Sequence, residues 1–310
     1  MSSCSYSIDS YITALEMSSK KRILVEGRHD RLHLYQLVYK FYPHSKIQID
    51  TAQDIKSSDK ATAKNNRLKI ELIHSRVKDK NNIWFLCDRE FREFSWADKI
   101  EDTLNAHYCN DSLYWTLGHS LENYFFDSDV IIDAFKYLSP SEYKFRAVEI
   151  FRGLIPSSFD LFAAISLSAK KIDKAGLPSA LISWRDLTID GNKVVLERRD
   201  AYEKIDDVCV NEFFNGISEF IPKVVLSNDV FRPRVIRGHT GVLLLQRLFS
   251  ACLYFSGKDD NRIEAERSAN YFSNISEISV TTALSESWVR MIGVANPLGY
   301  PEPLIQSISG

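Results

Sequence analysis

At 310 residues, with 45% hydrophobic and 26% charged side chains, the chain has material for one large core or two modest ones and is excluded from the disordered class. A formal charge of −2 gives no bulk attraction to nucleic acid, so any such contact must come from local basic patches. The five cysteines, at positions 4, 87, 109, 209 and 252, contain no CxxC pair, which argues against a zinc ribbon; their odd number and wide spacing argue against a disulfide framework and fit a reducing compartment.

The opening residues 1–16 lack both a basic start and an apolar core, so no signal peptide is expected. The first strand signal is Ile23-Leu24-Val25, a short run rich in β-branched residues that stops at Glu26-Gly27. Leu34, Leu37, Val38 and Phe41 follow at i, i+3, i+4 and i+7, which predicts one face of a helix ended by Pro43. Residues 46–50 alternate like a strand, and residues 59–78 form a polar stretch with Ile70, Ile73 and Val77 at helical spacing. Ile83–Cys87 is a continuous apolar run, expected of a strand covered on both faces, and 113–117 reads as a fourth strand. Strands separated by helical patterns predict an α/β domain over residues 1–126 with a mainly parallel sheet. From 127 to 310 the runs 130–138, 161–169 and 242–255 look helical. Lys193–Leu196 is a short strand signal beside a Gly191-Asn192 turn, within what reads as a mostly helical lobe. No apolar run approaches the ~20 residues of a membrane span, and a cytoplasmic location is expected.

Open parallel sheets place ligands at the carboxyl ends of their strands, and there the chain carries acids. Glu26 closes the first predicted strand and Asp88 the third; Gly27 removes a side chain beside Glu26, Asp30 lies about one helical turn on, and Asp88 and Glu90 would project to the same side of an extended chain. Glu26, Asp88 and Glu90 are candidate oxygen ligands for one or two Mg²⁺ ions, the preference of a hard cation. Such ions would stabilise attacking and leaving oxygens in phosphodiester displacement. The plain alternatives are a helix-dipole role for Asp30 and an exposed, ion-paired turn at Asp88-Arg89-Glu90.

The same residues carry a family resemblance. Ile23-Leu24-Val25-Glu26-Gly27-Arg28-His29-Asp30 resembles the opening motif of the Toprim domain, and Phe85-Leu86-Cys87-Asp88-Arg89-Glu90 is similar to its later DxD motif, with Glu90 where Asp is usual. Gly118-His119-Ser120-Leu121-Glu122-Asn123-Tyr124 resembles the Glu-Asn-Tyr element of a Toprim subgroup allied to the OLD nucleases, the DUF4435-type proteins, and in size and motif order the chain is similar to the nuclease effectors of PARIS-type antiviral defence systems. The resemblance covers the N-terminal 126 residues and fits the second half only loosely. It implies a Rossmann-like Toprim fold and a bacterial, Mg²⁺-dependent endoribonuclease (Mn²⁺ as substitute). It further implies an ABC-type ATPase partner that holds the nuclease until phage proteins are sensed, host tRNA as substrate, and a homodimer. On this reading Glu26, Asp30, Asp88, Glu90 and Glu122 are the catalytic set, with Glu122 serving as a further metal ligand, as a group acting on the attacking water, or as a carboxylate that orients a neighbouring Arg or His. An OLD-type DNA nuclease and a non-catalytic Toprim adaptor or sensor stay open as alternatives.

Between positions 56 and 80 stand eight Lys or Arg and three acids, a local charge of +5. Lys56, Lys60, Lys64 and Arg67 would form one stripe on a continuous helix, a pattern that can track a phosphate backbone or simply be a solvated face. Arg28, His29, Arg31, Arg89 and Arg92 flank the acids and are expected either to hold the scissile phosphate or to neutralise the carboxylates. Arg232, Arg234, Arg237 and His239 cluster before an apolar helix, and Arg237-Gly238-His239 is similar to a basic-Gly-basic element of the same subgroup, placed for phosphate or RNA contact. Tyr6 and Tyr11 are candidates for base stacking, although core aromatics are commoner. No GxxxxGK[ST] phosphate loop and no GxGxxG occur, and His119-Ser120 with distant acids is too loose for a nucleophilic triad.

Overall fold

Every strand expected in the first 126 residues forms, in places shifted by a residue or two. The computed structural model describes residues 6–77, 80–199, 202, 205–293 and 297–309. In chain order the strands are β1 Arg22–Val25, β2 Gln48–Thr51, β3 Ile83–Cys87, β4 Phe94–Ser95, β5 Glu101–Asp102, β6 Cys109–Asn110, β7 Leu113–Trp115, β8 Leu187–Asp190 and β9 Lys193–Leu196. The chain divides into two units: Met1–Arg89, Leu104–Leu121 and Ile292–Gly310 form one, and Glu90–Thr103 with Glu122–Met291 form the other.

The first unit is built on a five-stranded sheet of order β2-β1-β3-β7-β6, parallel except for β6, which pairs antiparallel with β7. After β1 the chain passes through helix α2 (Arg28–Phe41) to β2 on one side, then crosses back to lay β3 on the other side of β1. The winding direction therefore reverses between β1 and β3, and a reversal of this kind opens a crevice at the carboxyl ends of the two strands. Alternation assigns the faces: Leu24, Phe85 and Cys87 join a core with α1 (Ile8–Glu16) and the Ile70–Ile73–Val77 side of the later helix. Ile23, Val25, Trp84 and Leu86 point to the opposite face, and the α2 residues Leu34, Leu37 and Val38 are buried as their spacing predicts. The C-terminal segment, with helix α11 (Glu302–Ser307), returns to this unit: Lys21 donates to the Ile308 carbonyl at 3.1 Å and Tyr42 to that of Ile305 at 3.0 Å.

The polar stretch does not make one continuous helix. It breaks into α3 (Lys60–Lys64) and α4 (Asn66–Arg76) at Asn65, whose extended backbone (φ −128°) ends one helix while its side chain accepts from the Leu68 amide at 3.0 Å and caps the next. Lys78 and Asp79, counted in the basic segment, lie outside the described residues.

The second unit is mostly helical, with α5 (Ser128–Leu138), α6 (Lys144–Lys171), α7 (Leu177–Leu181), α8 (Asp207–Val225), α9 (Gly238–Ser273) and α10 (Glu277–Met291). The helical lobe expected from residue 127 thus begins at Glu122, ends at Met291 and takes in Glu90–Thr103 as well. That early segment is held by a buried Arg234–Asp102 ion pair at 2.8 Å and by the Ser227 hydroxyl, which accepts from the Ile100 amide at 2.6 Å. Phe135, Phe151, Phe249 and Phe272 meet in the core, with the last two ring centres 4.7 Å apart. Helices α6 and α8 touch where Gly216 leaves no Cβ; one added there would stand 2.2 Å from the Ser168 hydroxyl. The β8–β9 hairpin turns at Gly191 with φ +57°, the left-handed backbone a glycine adopts without strain. Helix α9 bends at Asn261, where φ and ψ (−151°, 96°) leave the helical region. Among the described residues α6 alone is long and apolar enough to cross a membrane, and 61% of its most apolar window is buried in the fold. Arg152 and Asp160 interrupt it, which hides its length from a search for unbroken apolar runs.

Candidate metal and phosphate site

The two acids Glu26 and Asp88 directly follow β1 and β3, at the carboxyl ends of the strands between which the winding reverses. The register Leu24↔Phe85 places Glu26 beside Cys87, and the Glu26 Oε1 accepts a hydrogen bond from the Asp88 backbone N–H at 3.0 Å. Asp88 is fixed in turn, its Oδ1 accepting from the Leu121 N–H at 3.2 Å. Both carboxylates are half-buried. Their field is felt at the buried Cys87 thiol, which is pushed well above its ordinary value by burial first and then by the charges of Glu26, Asp88 and Glu71, with Arg67 acting the other way. Glu71 and Arg67 sit one turn apart on α4. In the sequence Glu71 is only one acid in a basic stretch, and its four-residue spacing from Arg67 is the available signal.

Asp30 stands in the first turn of α2. Its Oδ2 accepts from the Gly27 N–H at 2.7 Å, closing the first turn of α2, so its helix-terminal role is the one its geometry displays. A Cβ on Gly27 would lie 3.3 Å from that oxygen, so a larger residue there would push the Asp30 carboxylate aside by a few tenths of an ångström. Glu90 departs from expectation. Its φ of +53° is left-handed, so the chain turns after Asp88 instead of running extended, and the argument that put both side chains on one side no longer applies. Glu90 also belongs to the second unit.

The donor set can be weighed against a metal. Among the described residues no group of three or more His, Cys, Asp or Glu is gathered to enclose an ion. Mg²⁺ does not need such a cage; it retains waters and commonly takes one or two carboxylates together with substrate phosphate oxygens. Glu26 and Asp88 fit that requirement.

The flanking basic residues separate into structural and exposed groups. Arg89 is 1% exposed, takes the Thr116 hydroxyl oxygen as acceptor of its N–H at 3.0 Å and donates from Nη1 to the Leu117 carbonyl at 3.0 Å, so the expected phosphate contact gives way to an interior one. Arg28 is exposed at the start of α2 and paired with Asp54 at 2.7 Å; the Thr51 hydroxyl and then Arg28 hold the Asp54 carboxyl below its usual range despite partial burial. Arg92 is exposed, in the second unit. Lys56, Lys60 and Lys64 are exposed, Lys56 ahead of α3 and the others on it, while Arg67 is half-buried on α4; the single helical stripe is therefore broken. Lys69 is interior, donating to the carbonyls of Ala52 at 2.9 Å and Ile55 at 3.0 Å. Tyr11 is also interior, 4% exposed and donating to Asp50 at 2.9 Å, which removes it as a stacking surface; Tyr6 is half-exposed.

Within the second unit the Glu-Asn-Tyr element and the Arg237-Gly238-His239 element come together. Glu122 is 3% exposed with its Oε1 3.7 Å from His239 Nε2, and Asn123 donates to the carbonyls of Pro233 and Ile236 at 2.7 and 2.8 Å, clamping the turn that leads into α9. Tyr124 stacks on Trp288. His239 Nδ1 also pairs with Glu277. Burial works against its protonation, but Glu122 and Glu277 outweigh that and hold the imidazole above its ordinary value. Arg237 donates to the Ala175 carbonyl at 3.0 Å. Arg234 is spent on Asp102 and Arg232 on Asp160 at 2.7 Å, so the first half of that basic cluster holds the fold together instead of facing a phosphate. Neither a protein-family model nor a curated protein matches the chain.

Proposed function

We propose that the chain is a Toprim-type, Mg²⁺-dependent endonuclease that cuts RNA, with Glu26 and Asp88 as its metal-binding pair. The observation that carries this reading is the 3.0 Å link from the Asp88 amide to the Glu26 carboxylate at the β1/β3 reversal, because it joins two acids far apart in sequence at the place where such sheets bind ligands. A divalent ion bound there, Mg²⁺ or Mn²⁺, would supply Lewis-acid stabilisation of the attacking and leaving oxygens of a phosphodiester. The chain's own groups do the positioning: the Asp88 and Leu121 amides hold the two carboxylates in place. The N-terminus of α2, which starts two residues after Glu26, favours a negative group nearby. On the first turn of α2, exposed Arg28 offers positive charge and exposed His29 a ring N–H to a phosphate.

The likeness of the Glu-Gly-x-x-Asp, Asp-x-Glu and Glu-Asn-Tyr motifs extends the proposal: host tRNA is the substrate, an ABC-type ATPase restrains the nuclease until phage infection, and the active form is a homodimer. Incubation of the purified chain with tRNA and, separately, with plasmid DNA in Mg²⁺ or Mn²⁺ tests the chemistry. Sequencing of RNA ends from cells expressing the chain or its Glu26→Ala variant tests the target. Discrete new tRNA termini in the unmodified culture alone are expected. Cleavage of plasmid only would move the assignment to a DNA nuclease, and undiminished toxicity of Glu26→Ala would move it to a non-catalytic adaptor.

A further inference from the structure

A second site lies wholly within the helical unit and uses none of the acidic or basic motif residues. A cavity of about 270 Å³ is lined by Trp184, Arg185, Tyr254, Phe255, Arg262 and Glu266, among others. Trp184 and Tyr254 form an aromatic corner, with ring centres 5.4 Å apart and planes inclined at 48°, and Phe255 meets Tyr254 edge-on at 5.8 Å. The Arg185 guanidinium lies 4.5 Å from the Trp184 ring centre and is fixed there by Glu266 at 2.7 Å and Asn270 at 3.2 Å; Trp184 is itself anchored by its indole N–H on Asn270 at 3.1 Å. Arg262 stands just past the bend of α9 at Asn261, is exposed, and makes no ion pair or hydrogen bond among the described residues. The second oxygen of Glu266 likewise has no hydrogen-bond partner among them.

These groups match one kind of ligand. Aromatic faces and a stacked guanidinium hold a flat ring, because every nucleobase has a π-face and stacking of this kind tolerates any base. An uncommitted arginine beside them suits the phosphate of the same nucleotide. A carboxylate oxygen with spare acceptor capacity suits an exocyclic amino group, the pairing a carboxylate makes with cytosine N4. The volume is just below the ~300–1,000 Å³ of pockets that enclose whole drug-sized ligands, which limits the occupant to about one base with its sugar and phosphate. We infer that this cavity is a nucleotide-binding subsite that takes one unstacked, amino-bearing base on Trp184, Tyr254 and Phe255 with its phosphate on Arg262. The inference stands without the nuclease reading; where that reading holds, the subsite would grip an unpaired base of the RNA being cut.

The test is equilibrium binding to the full chain in EDTA, so that no cleavage occurs and failure of the metal site cannot affect the result. The probes are a fluorescent single-stranded oligoadenylate and, separately, AMP as competitor. Saturable binding is expected, weakened about tenfold by Phe255→Ala, which takes away one stacking surface, and by a similar factor by Arg262→Ala, with Arg262→Lys recovering part of the affinity. Displacement of the oligonucleotide only by unlabelled oligonucleotide assigns the subsite to RNA, and displacement by AMP alone at comparable concentration assigns it to a free nucleotide. Absence of binding to the unmodified chain, or binding unchanged within twofold in both Phe255→Ala and Arg262→Ala, overturns the inference. Thermal melting of Arg262→Ala guards against misfolding; the residue is exposed and its removal should leave the melting temperature unchanged.

Discussion

The Asp88 backbone N–H donates to the Glu26 carboxylate across 3.0 Å, tying the acid that ends β1 to the acid that follows β3. The bond uses only the main chain of Asp88, and one oxygen of its own carboxylate accepts from the Leu121 amide. Glu26→Ala and Asp88→Asn are each expected to lower RNA cleavage by on the order of 10² or more, the several kcal/mol a metal contributes to such a reaction. Cleavage assays run beside urea denaturation check this. Activity reduced only in proportion to unfolded protein would remove both residues from the chemistry.

Asp30 should behave as a structural carboxylate. Asp30→Ala removes the acceptor of the Gly27 amide at the start of α2 and is expected to cost about 1 kcal/mol of stability. Asp30→Asn retains an acceptor oxygen and should lose less. If both variants keep their stability yet lose cleavage entirely, Asp30 belongs with Glu26 and Asp88.

Basic residues on the α3–α4 segment divide cleanly by burial. Lys69→Met strips two carbonyls, those of Ala52 and Ile55, of their donor and should destabilise the fold by about 1–3 kcal/mol. The exposed pair Lys60→Ala and Lys64→Ala should leave stability within about 0.5 kcal/mol. Their effect belongs in the salt dependence of RNA binding, whose slope is expected to fall by about 1 for each phosphate that a lysine no longer neutralises. A salt series of binding isotherms decides; an unchanged slope makes these lysines a solvated face.

The Arg234–Asp102 pair is buried on both sides, with side-chain exposures of 7% and 0%. Arg234→Ala strands a carboxylate in the interior and is expected to cost about 3–5 kcal/mol, whereas replacing both partners, Arg234→Met with Asp102→Leu, should recover most of that. Denaturant midpoints of the single and double variants measure the difference. Equal destabilisation in both would mean that packing, not the stranded charge, dominates.

His239 carries a pH signature. Its folded value lies above the ordinary 6.5, so the contacts with Glu122 and Glu277 add stability in full below about that pH and lose it as the pH rises through the raised folded value. Stability of the unmodified chain measured against His239→Gln should therefore show a gap at acidic pH that closes on the alkaline side. A gap that is constant or widens with rising pH would contradict the arrangement of these charges.

Local patterns in the sequence were enough to read four of the sheet's five strands; the two-residue antiparallel edge strand β6 was not among them. Ile23–Val25 and Ile83–Cys87 are strands because β-branched and aromatic residues suit a pleated surface covered on both faces, and Leu34, Leu37 and Val38 mark α2 through a 3.6-residue repeat. Glu26 and Asp88 stood out because each follows such a strand. What depended on residues remote in the chain was not visible. Arg89 reads as a surface cation until Thr116 and Leu117 enclose it, and Lys69 reads as one member of a basic stripe until two carbonyls claim it. The Glu90 turn is a backbone choice, φ +53°, that residue identity did not signal.

By itself the sequence determined the periodic features, since hydrophobic spacing and strand-ending acids are properties of neighbours along the chain. Tertiary structure alone decided which charges face solvent, that Glu122 meets His239, and that Trp184, Tyr254 and Arg262 enclose a cavity. Burial and charge pairing are set by what the fold brings alongside, and a desolvated cation is stable only where acceptors from distant segments converge on it.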